Sequence, residues 1–158
     1  MAIDPHHPTP AYLSFWRERH LCTLTTPRPD GTPHVVPVCV TYDPEAGVAR
    51  VLASRSSRKV RNVLAAMAAG AAGDGAAATG ASGSAAGARV AVCQVDGARW
   101  ATLEGIARVR TEAAEVAEGE RRYEERYGKP PRVNPNRAVI EISLTRAMGS
   151  RGLRPGEA

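Results

Sequence analysis

Apolar and polar residues alternate with period two through most of this chain, and that period predicts strands. Six stretches carry it: 20–26, 32–42 around Val36, Val38 and Val40, 48–54, 89–95, 99–110 and 137–146, the last through Ala138, Ile140, Ile142 and Leu144. Arg28-Pro29-Asp30-Gly31, Asp43 to Gly47 and Asp96-Gly97 are turn sequences between successive strands, so neighbours pair as antiparallel hairpins. Pro37 interrupts the second strand and removes a ladder donor. It marks a bulge, an edge, or a place where something other than a strand meets the backbone.

The period changes to 3.6 in three places. Thr9 is placed to cap a helix with Pro10 at its first position, followed by Tyr12, Leu13, Phe15 and Trp16. Val60, Val63, Leu64 and Met67 fall at i, i+3, i+4 and i+7 in an amphipathic helix over 54–67. A third helix is expected from a Thr111 cap to Gly128, with Ala113, Val116, Ala117, Tyr123 and Tyr127 on its buried stripe. Strand and helix never settle into βαβ alternation, which excludes a doubly wound sheet. The prediction is one mainly β domain over 1–158, a small and mostly antiparallel six-stranded barrel with flanking helices.

Composition changes this picture at one segment. Residues 65–88 hold 13 Ala and 6 Gly in 24 positions. That is too few large apolar groups to dock, so a flexible insertion is expected there. The chain of 158 residues contains no run of 18 apolar residues, which excludes a transmembrane helix. Cys22, Cys39 and Cys93 are odd in number and lack metal-ligand spacing. They are expected to be buried thiols in a reducing cytoplasm, and no secretory leader pattern opens the sequence. The net charge is +5, almost all of it arginine, since Lys59 and Lys129 are the only lysines. With one Phe and no aromatic-interleaved basic stripe, that charge does not make a nucleic-acid-binding protein.

Candidate chemistry is concentrated at Ser54-Arg55-Ser56-Ser57-Arg58-Lys59-Val60-Arg61-Asn62. Four cations crowd the end of a helix where the macrodipole already repels them. Two readings follow: an anion cradle of backbone N–H groups, dipole and guanidinium, or a solvated basic face. A second feature is Trp100, Thr102 and Glu104 on one strand face, either a pocket wall or cross-strand pairs, with Gln94 in the preceding strand. No nucleophile elbow, P-loop, zinc motif or dinucleotide fingerprint is present, and His34 stands alone on its strand. An enzyme built on this sequence would take its chemistry from a bound organic cofactor.

These stretches together resemble the pyridoxamine 5'-phosphate oxidase-like split-barrel family. The likeness is carried by His20 to Thr26 with Pro29 to Val38, by Ser57 to Asn62, by Cys93 to Trp100 with Leu103-Glu104-Gly105, and by Arg122 to Ile142. Within the family they are similar to the actinobacterial branch that uses the deazaflavin coenzyme F420, with FMN as the alternative cofactor. The resemblance implies a homodimer with cofactor sites at the subunit interface and a small-molecule substrate, biliverdin or another tetrapyrrole favoured. It implies that Ser57, Arg58 and Lys59 hold the cofactor phosphate, with Ser54 and Arg55 also binding the cofactor and Arg55 mattering less, as an outer or tail contact. It also implies that Val36, Pro37 and Val38 lie along the ring, that Gln94 reaches the cofactor, and that Trp100 walls the pocket. The expected chemistry is hydride transfer, with a non-enzymatic cofactor-binding protein as the other class; no metal is called for.

Overall fold

The computed structural model describes residues 2–72 and 86–156, the last helical residue, Ala72, by its backbone alone. Its elements are α1 (Pro10–Arg17), β1 (Cys22–Pro27), β2 (Pro33–Val38), β3 (Val40–Asp43), β4 (Val48–Ser54), α2 (Arg58–Ala72), β5 (Ala88–Asp96), β6 (Arg99–Arg110), α3 (Ala113–Tyr127) and β7 (Arg137–Gly149). All pairings are antiparallel, in a single sheet of order β2-β1-β5-β6-β7-β4-β3.

There are seven strands rather than six because the stretch 32–42 divides at Cys39. Val38 pairs with Cys22 of β1, whereas Val40 pairs with Val51 of β4. One residue therefore carries the chain from one edge of the sheet to the other, and the sheet must curl until its edges meet. Pro37 sits just before this corner, on an edge strand, where a missing N–H costs no ladder bond.

The strands bury alternate residues inside the curl. Leu24, Val92, Leu103, Ile140 and Ile142 form its centre, each stabilising the fold by roughly 1.5–3 kcal/mol through lost apolar exposure. Gly105 stands at a β-bulge in β6 where a Cβ would strike the carbonyl oxygen of Ser143.

α1 is capped as expected: the Thr9 hydroxyl accepts from Tyr12 N–H at 3.1 Å. Its Tyr12, Phe15 and Trp16 are buried in the chain's own core, and the Tyr12 hydroxyl donates to the Thr102 carbonyl at 2.8 Å. α3 departs from expectation at its start. Glu112, not Thr111, occupies the cap position, and the Glu112 carboxylate accepts from the Thr111 N–H instead of capping the helix. Its buried face is narrower as well. Gly119 and Tyr127 are buried, whereas Ala113 and Ala117 face solvent, because Gly119 packs directly on Val139 and Leu52. Gly128 ends the helix in the left-handed conformation, as its position suggests.

Of the expected insertion at 65–88, residues 65–72 continue α2 and Ala88 opens β5; residues 73–85 lie outside the described residues. All three cysteines are free, but only Cys22 is fully buried, since Cys39 sits at the corner and Cys93 on the outer sheet face. No described helix is long and apolar enough to cross a membrane.

Candidate functional site

The joint between β4 and α2 is where the sequence concentrates its cations, and it is built in two halves. Ser54 and Arg55 belong to the first, tied to the chain before β7. The Ser54 hydroxyl accepts from Asn134 Nδ2 at 2.8 Å, and Arg55 donates from its backbone N–H to the Asn136 carbonyl and from Nε to the Arg137 carbonyl. These contacts fix the turn that aims the helix.

Ser57, Arg58 and Lys59 form the second half. The Ser57 carbonyl accepts from the Arg61 N–H at 3.0 Å, so Ser57 opens the helix, yet its Oγ is buried and has no hydrogen-bond partner. A serine in this place ordinarily caps the helix with that oxygen. No acidic residue occupies the first turn of α2. Lys59 is half-buried, and partial desolvation alone pulls its ammonium below the ordinary lysine value, with no carboxylate to compensate. An unpartnered hydroxyl, two cations and a helix N-terminus fit an anion.

The structure adds two residues to this cluster that sequence reasoning left out. His34, on β2, lies near enough to Arg28, Arg58 and Lys59 for their charges to depress its pKa, after partial desolvation, and its Nδ1 is buried without a partner. Arg28 reaches from the β1–β2 turn and donates to the Pro33 carbonyl and to Thr32 Oγ1. The signal was present: Arg28 and His34 flank a tight turn that returns β2 alongside β1, but the position of α2 over that turn is not local information.

The remaining candidates divide between the two faces of the sheet. Val36 and Val38 point inward and are half-buried and buried, while Pro37 points outward and is exposed. Trp100 is half-buried on the outer face, opposite Val95 and bordered by Ser150 through backbone hydrogen bonds. Gln94 is fully buried inside. Its Nε2 donates to the Phe15 carbonyl at 2.7 Å, and its Oε1 accepts from Arg126 and from the Cys22 thiol. The amide therefore has its polar atoms engaged within this subunit.

Arg126 is the centre of that inner network. It donates to the carbonyls of Glu18 and Val40 and lies over the rings of Trp16 and Tyr127. The Tyr127 hydroxyl donates to the His20 carbonyl and accepts from the Val40 N–H. Together they clamp the far side of the Cys39 corner, and so the exit of β2.

Two sizeable cavities occur elsewhere. One of about 490 Å³ lies between α1, β3 and α3; the other, about 850 Å³, lies between α3 and residues 130–137 and touches the anion cluster only through Arg55. Neither is lined by Ser57, Arg58, Lys59 or β2. The cluster therefore lies outside both cavities.

Apolar side chains gather on the outer face of the sheet. Leu21, Val35 and Val95 are 68%, 56% and 59% exposed. Val35 and Val95 share the outer face of β2, β1, β5 and β6 with Pro37, Cys93 and Trp100, and Leu21 enters that face beside them by the alternation of β1.

Known proteins match this chain along nearly its whole length. The profile of the pyridoxamine 5'-phosphate oxidase family matches residues 8–149. The F420H(2)-dependent biliverdin reductase of Mycobacterium tuberculosis is 41% identical over 141 residues, covering 89% of this chain and 87% of that protein. Among solved structures, an F420 reductase superposes with a TM-score of 0.59 at 21% identity, covering 87% of this chain and 95% of the other. A conserved hypothetical protein of M. tuberculosis superposes with a TM-score of 0.64 at 18% identity, covering 91% and 84%. At such identities the two structures speak for the fold alone.

Proposed function

The chain belongs to the pyridoxamine 5'-phosphate oxidase family, and we propose that it is an F420-dependent oxidoreductase that reduces a conjugated small molecule, biliverdin being the favoured acceptor. The observation that carries this reading is the 41% identity to an F420H(2)-dependent biliverdin reductase across nearly the whole of both chains. The open cation cluster at the start of α2 supports it independently, because it is built for an anion and has none of its own.

In this reading Ser57, Arg58 and Lys59 hold the cofactor phosphodiester, and Ser54 and Arg55 set the turn that presents them. The backbone of β2 at Val36, Pro37 and Val38 runs beside the tricyclic ring, where a proline removes a donor that would otherwise compete for water or a neighbouring strand. Gln94 supports this strand from within through Arg126 and the Val40 carbonyl. Bound and reduced, F420 supplies a hydride from C5 of its ring; the acceptor carbon takes it and a proton enters separately. The protein's share is to align the acceptor on the ring, exclude water and meet developing negative charge with fixed cations.

The same reading calls for a homodimer. The aromatics of α1 do not argue for it, since Phe15 and Trp16 are covered by their own chain. The outer sheet face does, because Leu21, Val35 and Val95 leave an apolar surface beside the open cluster. A second subunit seated there closes the site and brings its Trp100 toward the ring. A reducing cytoplasm suits the three free thiols.

The test is a titration of the purified protein with F420 and FMN by tryptophan fluorescence, followed by single-turnover oxidation of bound reduced F420 by biliverdin. Saturable F420 binding and biliverdin-dependent reoxidation are expected. Submicromolar FMN binding with none of F420 would overturn the cofactor assignment. F420 binding without turnover across a panel of electron acceptors would make the protein a cofactor carrier.

A further inference from the structure

We propose that His34 is a ligand of the anion held at the start of α2, and that it binds that anion as an imidazolium, so that cofactor binding takes up a proton. The inference rests on the anion site described above and adds a residue and a linkage to it.

The geometry begins with the strand. His34 lies on the inward-facing side of β2, two residues before Val36, and Val36 pairs with Leu24 at the sheet edge. The charged groups that act on it come from two elements: Arg28 from the β1–β2 turn, and Arg58 and Lys59 from α2. Asp30 of the same turn is occupied by the Thr32 N–H and hydroxyl, at 3.0 and 2.6 Å. The neighbouring Asn62 and Thr26 are neutral and bonded to each other at 3.0 Å. His34 Nδ1, Ser57 Oγ and Asn62 Oδ1 are all buried without partners. His34 pairs across the ladder with Thr26, which Asn62 of α2 holds, and three unpartnered polar atoms with three cations, and no carboxylate acting on the histidine, make a site whose balancing charge comes from a ligand.

In the free protein the imidazolium form of His34 is disfavoured, since partial desolvation and the positive charges of Arg28, Arg58 and Lys59 both act against it. A phosphodiester or sulfate reverses the local field. An opposite charge in contact moves a pKa by about 1–3 units, which carries His34 through the ordinary histidine range. By linkage the anion binds more tightly as the pH falls, approaching about tenfold for each unit by which the histidine is raised. Arg28, Arg58 and Lys59 supply the part of the affinity that does not depend on His34.

A proton NMR titration of the histidine ring protons tests this on the full-length protein, alone, with F420, and with sodium sulfate. Sulfate has no group that titrates near neutrality. His34→Gln assigns the signal and keeps a polar side chain of similar reach. His34 is expected to titrate below the ordinary histidine range in the free protein and to move up by about 1–3 units with either anion. The Gln variant should melt with the parent protein and lose the rise in sulfate and F420 affinity on acidification. If F420 binds saturably and the His34 titration does not move, the inference falls and the cofactor reading stands. If F420 fails to bind while sulfate still shifts His34, the cofactor reading falls and His34 remains an anion ligand. Failure of F420 to bind, with no movement of His34 by either anion, overturns both.

Discussion

Single side chains divide here between those whose charge is solvated by the protein's own acceptors and those whose charge is not. Lys59 is of the second kind: half-buried, without a carboxylate, at the helix end that repels cations. Lys59→Ala should weaken F420 binding by about tenfold to a hundredfold, the scale of a charge-assisted contact of about 1.5–3 kcal/mol. The same change should leave the melting temperature of the free protein unchanged or higher, because it removes an uncompensated charge. Fluorescence titration and calorimetry on one variant read both signs, and a large loss of stability would show that Lys59 serves the fold. Arg126 is of the first kind, with the Glu18 and Val40 carbonyls and Gln94 as acceptors. Arg126→Ala strands those acceptors and should cost about 2–4 kcal/mol in denaturant unfolding. Cys22, pushed up to about 11 by burial, stays a thiol at pH 8 and should resist iodoacetamide in the native protein when followed by mass spectrometry. Gln94 illustrates what a strand pattern conceals. A polar residue at an inward position reads alike whether it meets a ligand or an arginine 32 residues further on.

Elements were legible in the sequence where their signals were local. Thr9 and Pro10 announced α1, Gly128 ended α3, and the inward residues of β7 came out of its alternation. What stayed hidden depended on partners distant in sequence. The stretch 32–42 reads as one strand because its alternation never breaks; only its pairing with Cys22 on one side and Val51 on the other divides it at Cys39. The narrow buried face of α3 likewise follows from the close seat of Gly119 on Val139, not from the helix's own pattern. The proposed anion site was half legible: residues 54–59 stand in one run, whereas His34 and Arg28 come near them only through the fold. The bulge in β6 supplies a test at this scale. Gly105→Ala should lower the melting temperature sharply, because the new methyl group meets the backbone of β7. Gly97→Ala, at a left-handed turn position with open space around it, should cost only about 1 kcal/mol.

At the scale of the whole molecule, the cation cluster lies toward the inward side of β2 and the apolar residues on its outward side, and the proposed dimer would bring the two together. Val35→Glu with Val95→Glu should give a monomer by sedimentation equilibrium and weaken F420 binding, while circular dichroism of the strands is retained, since both side chains already face water. Retention of the dimer would place the interface elsewhere. The corner at Cys39 has a consequence of another sort. An open sheet ends in two bare rims, and a rim of unpaired amides recruits stray strands from other molecules. Here one rim contains Pro33 and Pro37, which have no amide to offer, and the other is only four residues long. Because a single residue connects them, neither can swing out without unseating the other. A protein made this way should keep well in concentrated solution, and its shelf life belongs to the same two prolines and one-residue corner that shape β2.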